Sequence, residues 1–246
     1  MNNFLERLPE LQLSMMDIFS FKKNNQGEDP RAWASYMGKH RFFAVTSYIL
    51  DKDREGFFEH LKKSVDYQIK LFSQEDEKRR LHEYRVPTFR EVFISLCLGS
   101  PENALSLMEY IKQVDLNDST KLATAFHKAF RLLILGTGGT PAELDENIII
   151  FQNKYKSYAG YPLCFKAIYD QDSIAFQKGF EVLMKGHKVL SRANNEFGNT
   201  VDSIIALWPL GIVNLARMKG MDVMVDHPLI PQDLIVEKIG GLGGAA

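Results

Sequence analysis

The sequence has only two cysteines, Cys97 and Cys164, and no long uncharged run. Two cysteines this far apart cannot form the disulfide framework of a small secreted domain, so we expect buried free thiols in a reducing compartment. The longest uncharged run, from Ser203 to Ala216, is shorter than the roughly 18 apolar residues that a membrane span needs. The first twenty residues carry acidic side chains and do not resemble a secretion signal, which favours the cytoplasm.

An excess of charge of either sign is also missing. Thirty Lys and Arg residues face 31 Asp and Glu residues, which gives a formal net charge of −1. Such a balance produces no overall field that would attract nucleic acid or anionic lipid, so we expect neither as a partner. The compact basic cluster of the chain is typical of a solvated face; it consists of Lys78, Arg79, Arg80, Arg85 and Arg90.

Motifs for catalysis or metal binding are absent as well. The six histidines, at 40, 60, 82, 127, 187 and 227, include no pair at the helical spacing of metal ligands. His40 and His187 lie on apolar stripes, where the expected role is a hydrogen-bonded imidazole in the interior or at a contact between the helices of a hairpin. The glycine-rich segment from Leu135 to Thr140 follows a predicted helix and lacks the lysine of a phosphate-binding loop, so it is interpreted as a connector. We expect no cofactor, no metal and no catalytic residue.

Apolar residues recur at intervals of three and four along almost the whole chain, which indicates helices. Helix starts are predicted at capping residues or first-turn prolines, and helix ends at glycines. The predicted starts are Asp29-Pro30, Asp53, Thr88 with Glu91, Ser100-Pro101, Thr140-Pro141, Pro162 and Asp172, and the predicted ends include Gly99 and Gly220. A last helix is expected from about Thr200 to Lys219 with a kink at Pro209, followed by a short extended piece from Met221 to Val225.

Connectors of two to five residues join several of these helices, and connectors this short force neighbouring helices to run antiparallel. Their spacing along the chain is irregular, which excludes a strict tandem repeat. The sequence therefore predicts an all-α fold: a stack of antiparallel helical hairpins, an irregular solenoid or bundle, with a short extended C-terminal segment. We expect one domain over residues 1–239 and a flexible tail over residues 240–246.

The segment from Glu102 to Glu146 contains more acidic than basic residues, which makes it a candidate surface for a basic partner. Three of its carboxylates lie in the first turn of a predicted helix, where the positive end of the helix dipole already explains them. The candidate partner-binding residues are Glu102, Glu109, Asp115, Asp118, Glu143, Asp145 and Glu146.

The last fifty residues contain a distinctive run, DSIIALWPLGIVNLARMKG, followed by MDVMVD and HPLIPQDLI. Trp208 and Gly211 are expected to pack inside a buried helix, and Gly220 to end it in a left-handed conformation. The residues that characterise this segment, with a structural role as the first interpretation, are Asp202, Trp208, Pro209, Gly211, Arg217, Gly220 and Pro231.

This run resembles the close of the immunity protein 49 family of bacterial polymorphic toxin systems. The resemblance implies an all-helical antitoxin that binds a cognate toxin domain and blocks it sterically, without catalysis of its own. With a cytoplasmic location it further implies a toxin that acts in the cytoplasm, for which a nuclease is one candidate. The oligomeric state stays open.

Two other classes of function remain open from the sequence. A helical-repeat adaptor that recognises a peptide or protein would present a groove lined with exposed aromatic residues, such as Tyr155, Tyr158 and Tyr161. An enzyme would need a cluster of reactive side chains that no motif in this sequence provides.

Overall fold

The computed structural model describes residues 2–26, 29–73, 89–112 and 121–237, and within these ranges the protein consists of α-helices and turns without a β-strand. The predicted all-α class is confirmed. The helices are α1 (Asn2–Glu6), α2 (Leu8–Gln26), α3 (Pro30–Asp51), α4 (Arg54–Phe72), α5 (Phe89–Cys97), α6 (Pro101–Lys112), α7 (Lys121–Phe130), α8 (Pro141–Lys154), α9 (Gly160–Asp170), α10 (Ser173–Leu190) and α11 (Leu207–Met218). A π-helical turn, Arg131–Leu135, continues α7.

Most predicted helix ends that fall in the described ranges are confirmed. Asp53 accepts a hydrogen bond from the amide of Gly56 at the start of α4, and Asp172 accepts from two amides at the start of α10. Thr140 and Glu143 form a complete capping box before α8. Gly99 and Gly220 adopt positive φ angles of 64° and 85°. The predicted cap at Thr88 and the tail from 240 lie outside the described residues.

The prediction of one kinked helix from Thr200 to Lys219 is wrong. Val201–Ser203 form a 3₁₀ turn, and α11 begins only at Leu207. Pro209 is therefore the third residue of α11, in the first turn, where the N–H that proline lacks would have no acceptor within the helix. Trp208 likewise lies in the first turn rather than at the helix centre. The start predicted at Pro162 lies two residues inside α9.

The N-terminal helices were not predicted from the sequence. The apolar residues of α2 point in several directions: Leu8 is fully buried, whereas Leu13 and Phe21 are two-thirds exposed. Because no single stripe stands out, the three-and-four spacing that reveals the other helices is weak here. α2 packs against α3, which forms a tight hairpin with α4.

The core joins parts of the chain that are far apart in sequence. One apolar cluster extends from Ala44 on α3 to Ile235 near the C-terminus. Helix α5 packs against α11, over a hundred residues later, and α9 packs against both α8 and α10. Repeats of a solenoid contact mainly their neighbours, so the contact between α5 and α11 favours the bundle over the solenoid.

The C-terminal segment after α11 closes the bundle. Met221, Val223 and Val225 are buried while Asp222 and Met224 are exposed, which confirms the predicted extended piece. The hydroxyl of Tyr48 on α3 donates to the Asp233 carboxylate at 2.6 Å, which ties this segment to the first hairpin.

Gly211 determines how closely α5 and α11 approach each other. A Cβ atom at this position would lie 2.6 Å from the main-chain oxygen of Phe93. We expect Gly211→Ala to lower the free energy of unfolding by about 1–3 kcal/mol because the two helices must separate. Gly38→Ala is the matched control, because a Cβ added at Gly38 would have no neighbouring atom of the described structure within 4 Å. This substitution should stabilise α3 by about 0.5–1 kcal/mol. Denaturant unfolding of both variants measures this, and equal stabilities would contradict it.

His127 lies in the core, and neither of its ring nitrogens has a hydrogen-bond partner among the residues that the structure describes; burial lowers its pKa from 6.5 to about 4. The folded protein therefore holds this imidazole neutral, while the unfolded chain takes up a proton below pH 6.5, so stability falls as the pH falls from 7 towards 4. The free energy of unfolding of the wild type should fall between pH 7 and pH 5 as this imidazole is protonated in the unfolded chain. In His127→Leu the fall should be smaller by about 2 kcal/mol. Unfolding curves at both pH values test this, and an identical loss in both proteins would refute it.

Candidate functional site

The acidic residues predicted from the sequence that the structure describes lie on two helices, α6 and α8. Glu102 and Glu109 are exposed on α6, which packs against α4 and α5. Glu143, Asp145 and Glu146 lie on α8, which packs against α7 and α9. Asp115 and Asp118 lie outside the described residues. The structure therefore separates the described part of the acidic stretch into two groups.

Glu102 and Glu143 have hydrogen-bond partners close to the starts of their own helices. Glu102 accepts a hydrogen bond from the Ser100 hydroxyl at 2.7 Å, which lowers the pKa of the Glu102 carboxyl. Glu143 belongs to the capping box of α8 and pairs with the Nζ of Lys128 at 2.5 Å, and this bond lowers its pKa. Both contacts fix the local helix start, so Glu143 in particular has a structural role.

Asp145 and Glu146 are exposed on the outer face of α8. The Nζ of Lys166 on α9 lies 3.9 Å from Asp145 and 2.5 Å from Asp170, so the contact with Asp145 is the longer of the two. One turn further along α8, Ile149 is 62% exposed although Leu144 and Phe151 on the opposite face are buried. This face thus combines exposed carboxylates with an exposed branched apolar side chain.

The characteristic C-terminal residues have clear packing roles. The Trp208 ring stacks on Phe93 at 5.2 Å between centroids and meets the edge of Phe197 at 4.8 Å. Gly211 lies against the backbone of α5. Arg217 is half-buried in the last turn of α11, where a cation suits the helix dipole. Pro231 precedes the 3₁₀ turn Gln232–Leu234.

Asp202 differs from the others because it is a buried carboxylate at the wall of a cavity, which Trp208 also lines. Its Oδ1 atom is buried without a hydrogen-bond partner in the described structure, and burial raises the pKa of the carboxyl to about 6. The cavity, about 480 Å³, also includes Arg41 of α3, Arg90 of α5 and Glu196 of the loop before α11. The main-chain oxygen of Asp202 accepts from Nε2 of His187 at 2.9 Å. His187 is therefore the hydrogen-bonded interior imidazole that the sequence predicts.

No motif in the sequence indicates the ionic network beside Asp202. Glu196 accepts from Arg90 at 2.5 Å through Oε1 and from the Tyr158 hydroxyl through Oε2. Arg90 and Glu196 are 106 positions apart, so no motif of fixed spacing could reveal the pair. Arg90 was expected in a solvated basic cluster; the other members of that cluster, at 78–85, lie outside the described residues.

A second polar contact lies in the first hairpin. Nδ1 of His40 on α3 and Nδ1 of His60 on α4 are 3.0 Å apart, and burial lowers the pKa of His40 to about 4. This confirms His40 as a hydrogen-bonded hairpin imidazole. Among the residues that the structure describes, no group of three or more His, Cys, Asp or Glu side chains could hold a metal ion. The same residues include no helix long and apolar enough to cross a membrane.

The aromatic groove expected for an adaptor is not formed by the three tyrosines suggested for it. Tyr161 is 1% exposed and packs against Phe93 and Phe126. Tyr155 and Tyr158 are half-buried, and Tyr158 is bonded to Glu196. All three rings pack against the core instead, and Tyr161 at the start of α9 contacts Phe93 of α5.

Comparison with known proteins gives one family. The sequence model of the family described as Immunity protein 49 matches residues 142–234, which run from the start of α8 to the end of the closing segment. No curated protein and no solved structure shows significant similarity to the chain. The matched region contains most of the characteristic C-terminal run, including Asp202, Trp208 and Gly211. Residues 142–234, less than half of the chain, are therefore similar to the Immunity protein 49 family.

Proposed function

We propose that this protein is a cytoplasmic immunity protein of a bacterial polymorphic toxin system that binds a cognate toxin domain and blocks it by steric occlusion. The match of residues 142–234 to the Immunity protein 49 family carries this proposal. In this mechanism the bundle is a rigid surface and performs no reaction on a substrate. Binding energy in such interfaces is concentrated in a few well-packed side chains.

The outer face of α8 is the surface that we assign to the toxin. It presents Asp145 and Glu146 beside the exposed Ile149. Carboxylates at the rim of an interface steer a basic partner and set its orientation, and an apolar side chain between them supplies area that becomes dry on binding. Glu143 is not included because its carboxylate is already bonded to Lys128 and Thr140.

A toxin with a basic surface, such as a nuclease, is the kind of partner that these charges would suit. The net charge of −1 provides little long-range attraction, so steering would have to come from the local carboxylates of α8 and α6. This makes the association rate, rather than the affinity alone, the informative quantity.

Co-expression tests the proposed function directly. The proposal predicts that a toxin domain is encoded beside this gene; this domain should stop growth when expressed alone, and growth should return when this protein is expressed with it. The two proteins should also co-purify as a stable complex. A folded protein that neither restores growth nor co-purifies with that domain would exclude the proposal.

Reversal of two charges tests the assigned surface. The double variant Asp145→Lys with Glu146→Lys should slow association with the toxin by on the order of threefold or more at low salt, and it should flatten the dependence of the rate on ionic strength. Glu10→Lys with Asp17→Lys, at exposed positions on α2, makes the same change in net charge and is the control. Stopped-flow or surface binding kinetics measure both. Equal rates for the two variants would place the toxin on another face.

A further inference from the structure

The cavity beside Asp202 lies where three parts of the chain meet. The N-terminal helices contribute Phe4, Leu11 and Met15, α3 contributes Arg41 and Phe42, and the segment before and into α11 contributes residues between Glu196 and Trp208. Its volume of about 480 Å³ falls within the roughly 300–1,000 Å³ of small-molecule sites. The walls are largely apolar and aromatic, with a few charged groups, which is also typical of such sites.

Two of the four charged groups of the cavity are bonded to each other, and the other two are not. Glu196 and Arg90 satisfy each other, and the second oxygen of Glu196 is occupied by Tyr158. Arg41 and Asp202 do not bond to each other. Within the described part of the chain, Arg41 has neither an ion pair nor a hydrogen bond, and Oδ1 of Asp202 is a buried acceptor without a donor.

Arg41 and Asp202 are nevertheless close enough to influence each other. The positive charge of Arg41 lowers the pKa of Asp202, although burial has the larger effect and raises it. A buried acceptor that lacks a donor costs free energy, and a ligand that supplies an N–H group recovers it. A ligand that also supplies an acceptor would bond the guanidinium of Arg41.

We propose that this cavity is a binding site for a free zwitterionic α-amino acid with an apolar side chain. Its ammonium group donates to Asp202, its carboxylate accepts from Arg41, and its side chain packs against the apolar wall formed by Leu11, Phe42 and Trp208. The four charged side chains of the cavity cancel, so a zwitterion adds no net charge. A simple cation or a simple anion could pair with only one of the two unbonded groups, Asp202 or Arg41, whereas a zwitterion can pair with both.

The proposal does not depend on the proposed function, and it is tested without a toxin. The chain contains two tryptophans. Trp208 lines the cavity, whereas Trp33 lies in a separate small apolar cluster. The two indole N–H signals in an NMR spectrum of the isotope-labelled protein therefore provide a probe and an internal reference.

Three compounds of similar shape separate the two contacts. L-phenylalanine should shift the Trp208 signal saturably and leave that of Trp33 unchanged. N-acetyl-L-phenylalanine lacks the ammonium group and L-phenylalaninamide lacks the carboxylate, so each should bind roughly tenfold or more weakly, as expected for the loss of one charge-assisted hydrogen bond. Equal binding of all three would mean an unspecific apolar cavity, and no shift at Trp208 would mean no site; either result overturns the proposal.

Two variants assign the contacts to residues. Asp202→Asn should weaken L-phenylalanine binding but leave the weak binding of N-acetyl-L-phenylalanine unchanged. Arg41→Met should weaken L-phenylalanine binding but leave that of L-phenylalaninamide unchanged. The assignment is wrong if Asp202→Asn weakens L-phenylalanine and N-acetyl-L-phenylalanine equally, and if Arg41→Met weakens L-phenylalanine and L-phenylalaninamide equally. Circular dichroism establishes that each variant is folded, and the three-compound comparison on the wild-type protein decides the proposal even if one variant does not fold.

Discussion

The packing of α5 against α11 is the contact on which the rest of the structure depends. Gly211 places the backbone of α11 on the main-chain oxygen of Phe93, and Trp208 stacks on the ring of the same residue. The buried side chain of Asn214 donates to the carbonyls of Leu96 and Cys97 at the end of α5 and accepts from the amide of Val236. One amide side chain thus satisfies backbone groups of α5 and of the closing segment. Because buried polar groups must be bonded, these contacts define the relative position of three parts of the chain.

The position of α11 explains why the bundle has its cavity at Asp202. Glu196 and Asp202 belong to the loop that leads into α11, and this loop lies beside α3 and α5. Glu196 bonds to Arg90 and Tyr158, whereas Asp202 and Arg41 line a cavity that residues of the N-terminal helices also line. Burial raises the pKa of the Asp202 carboxyl. The proposed toxin surface on α8 is an exposed acidic face, whereas the cavity at Asp202 is lined by equal numbers of positive and negative side chains.

Much of the fold could be predicted from local signals. The caps at Asp53, Thr140 and Asp172 and the glycines at 99 and 220 act within one turn of their own positions, so the sequence predicts them correctly. Pro209 misled the prediction because the same residue kinks a helix interior but is tolerated in a first turn, and only the actual start of α11 decides between the two. The helix α2 was missed because its apolar residues do not form one stripe. In the acidic stretch, the composition indicated carboxylates but not that Glu143 is already bonded to Lys128.

The amino-acid sequence by itself determined that the chain is helical, where most helices begin and end, and that its last part resembles an immunity family, since propensity, capping and motif are all short-range properties. Only the tertiary structure decided that Arg41 and Asp202 line the same cavity, that Arg90 bonds to Glu196, and that Tyr161 belongs to the core. These pairs join residues that lie far apart along the chain, and their encounter follows from how the helices pack. Side-chain volume and glycine placement along whole helices set that packing, which no local pattern encodes.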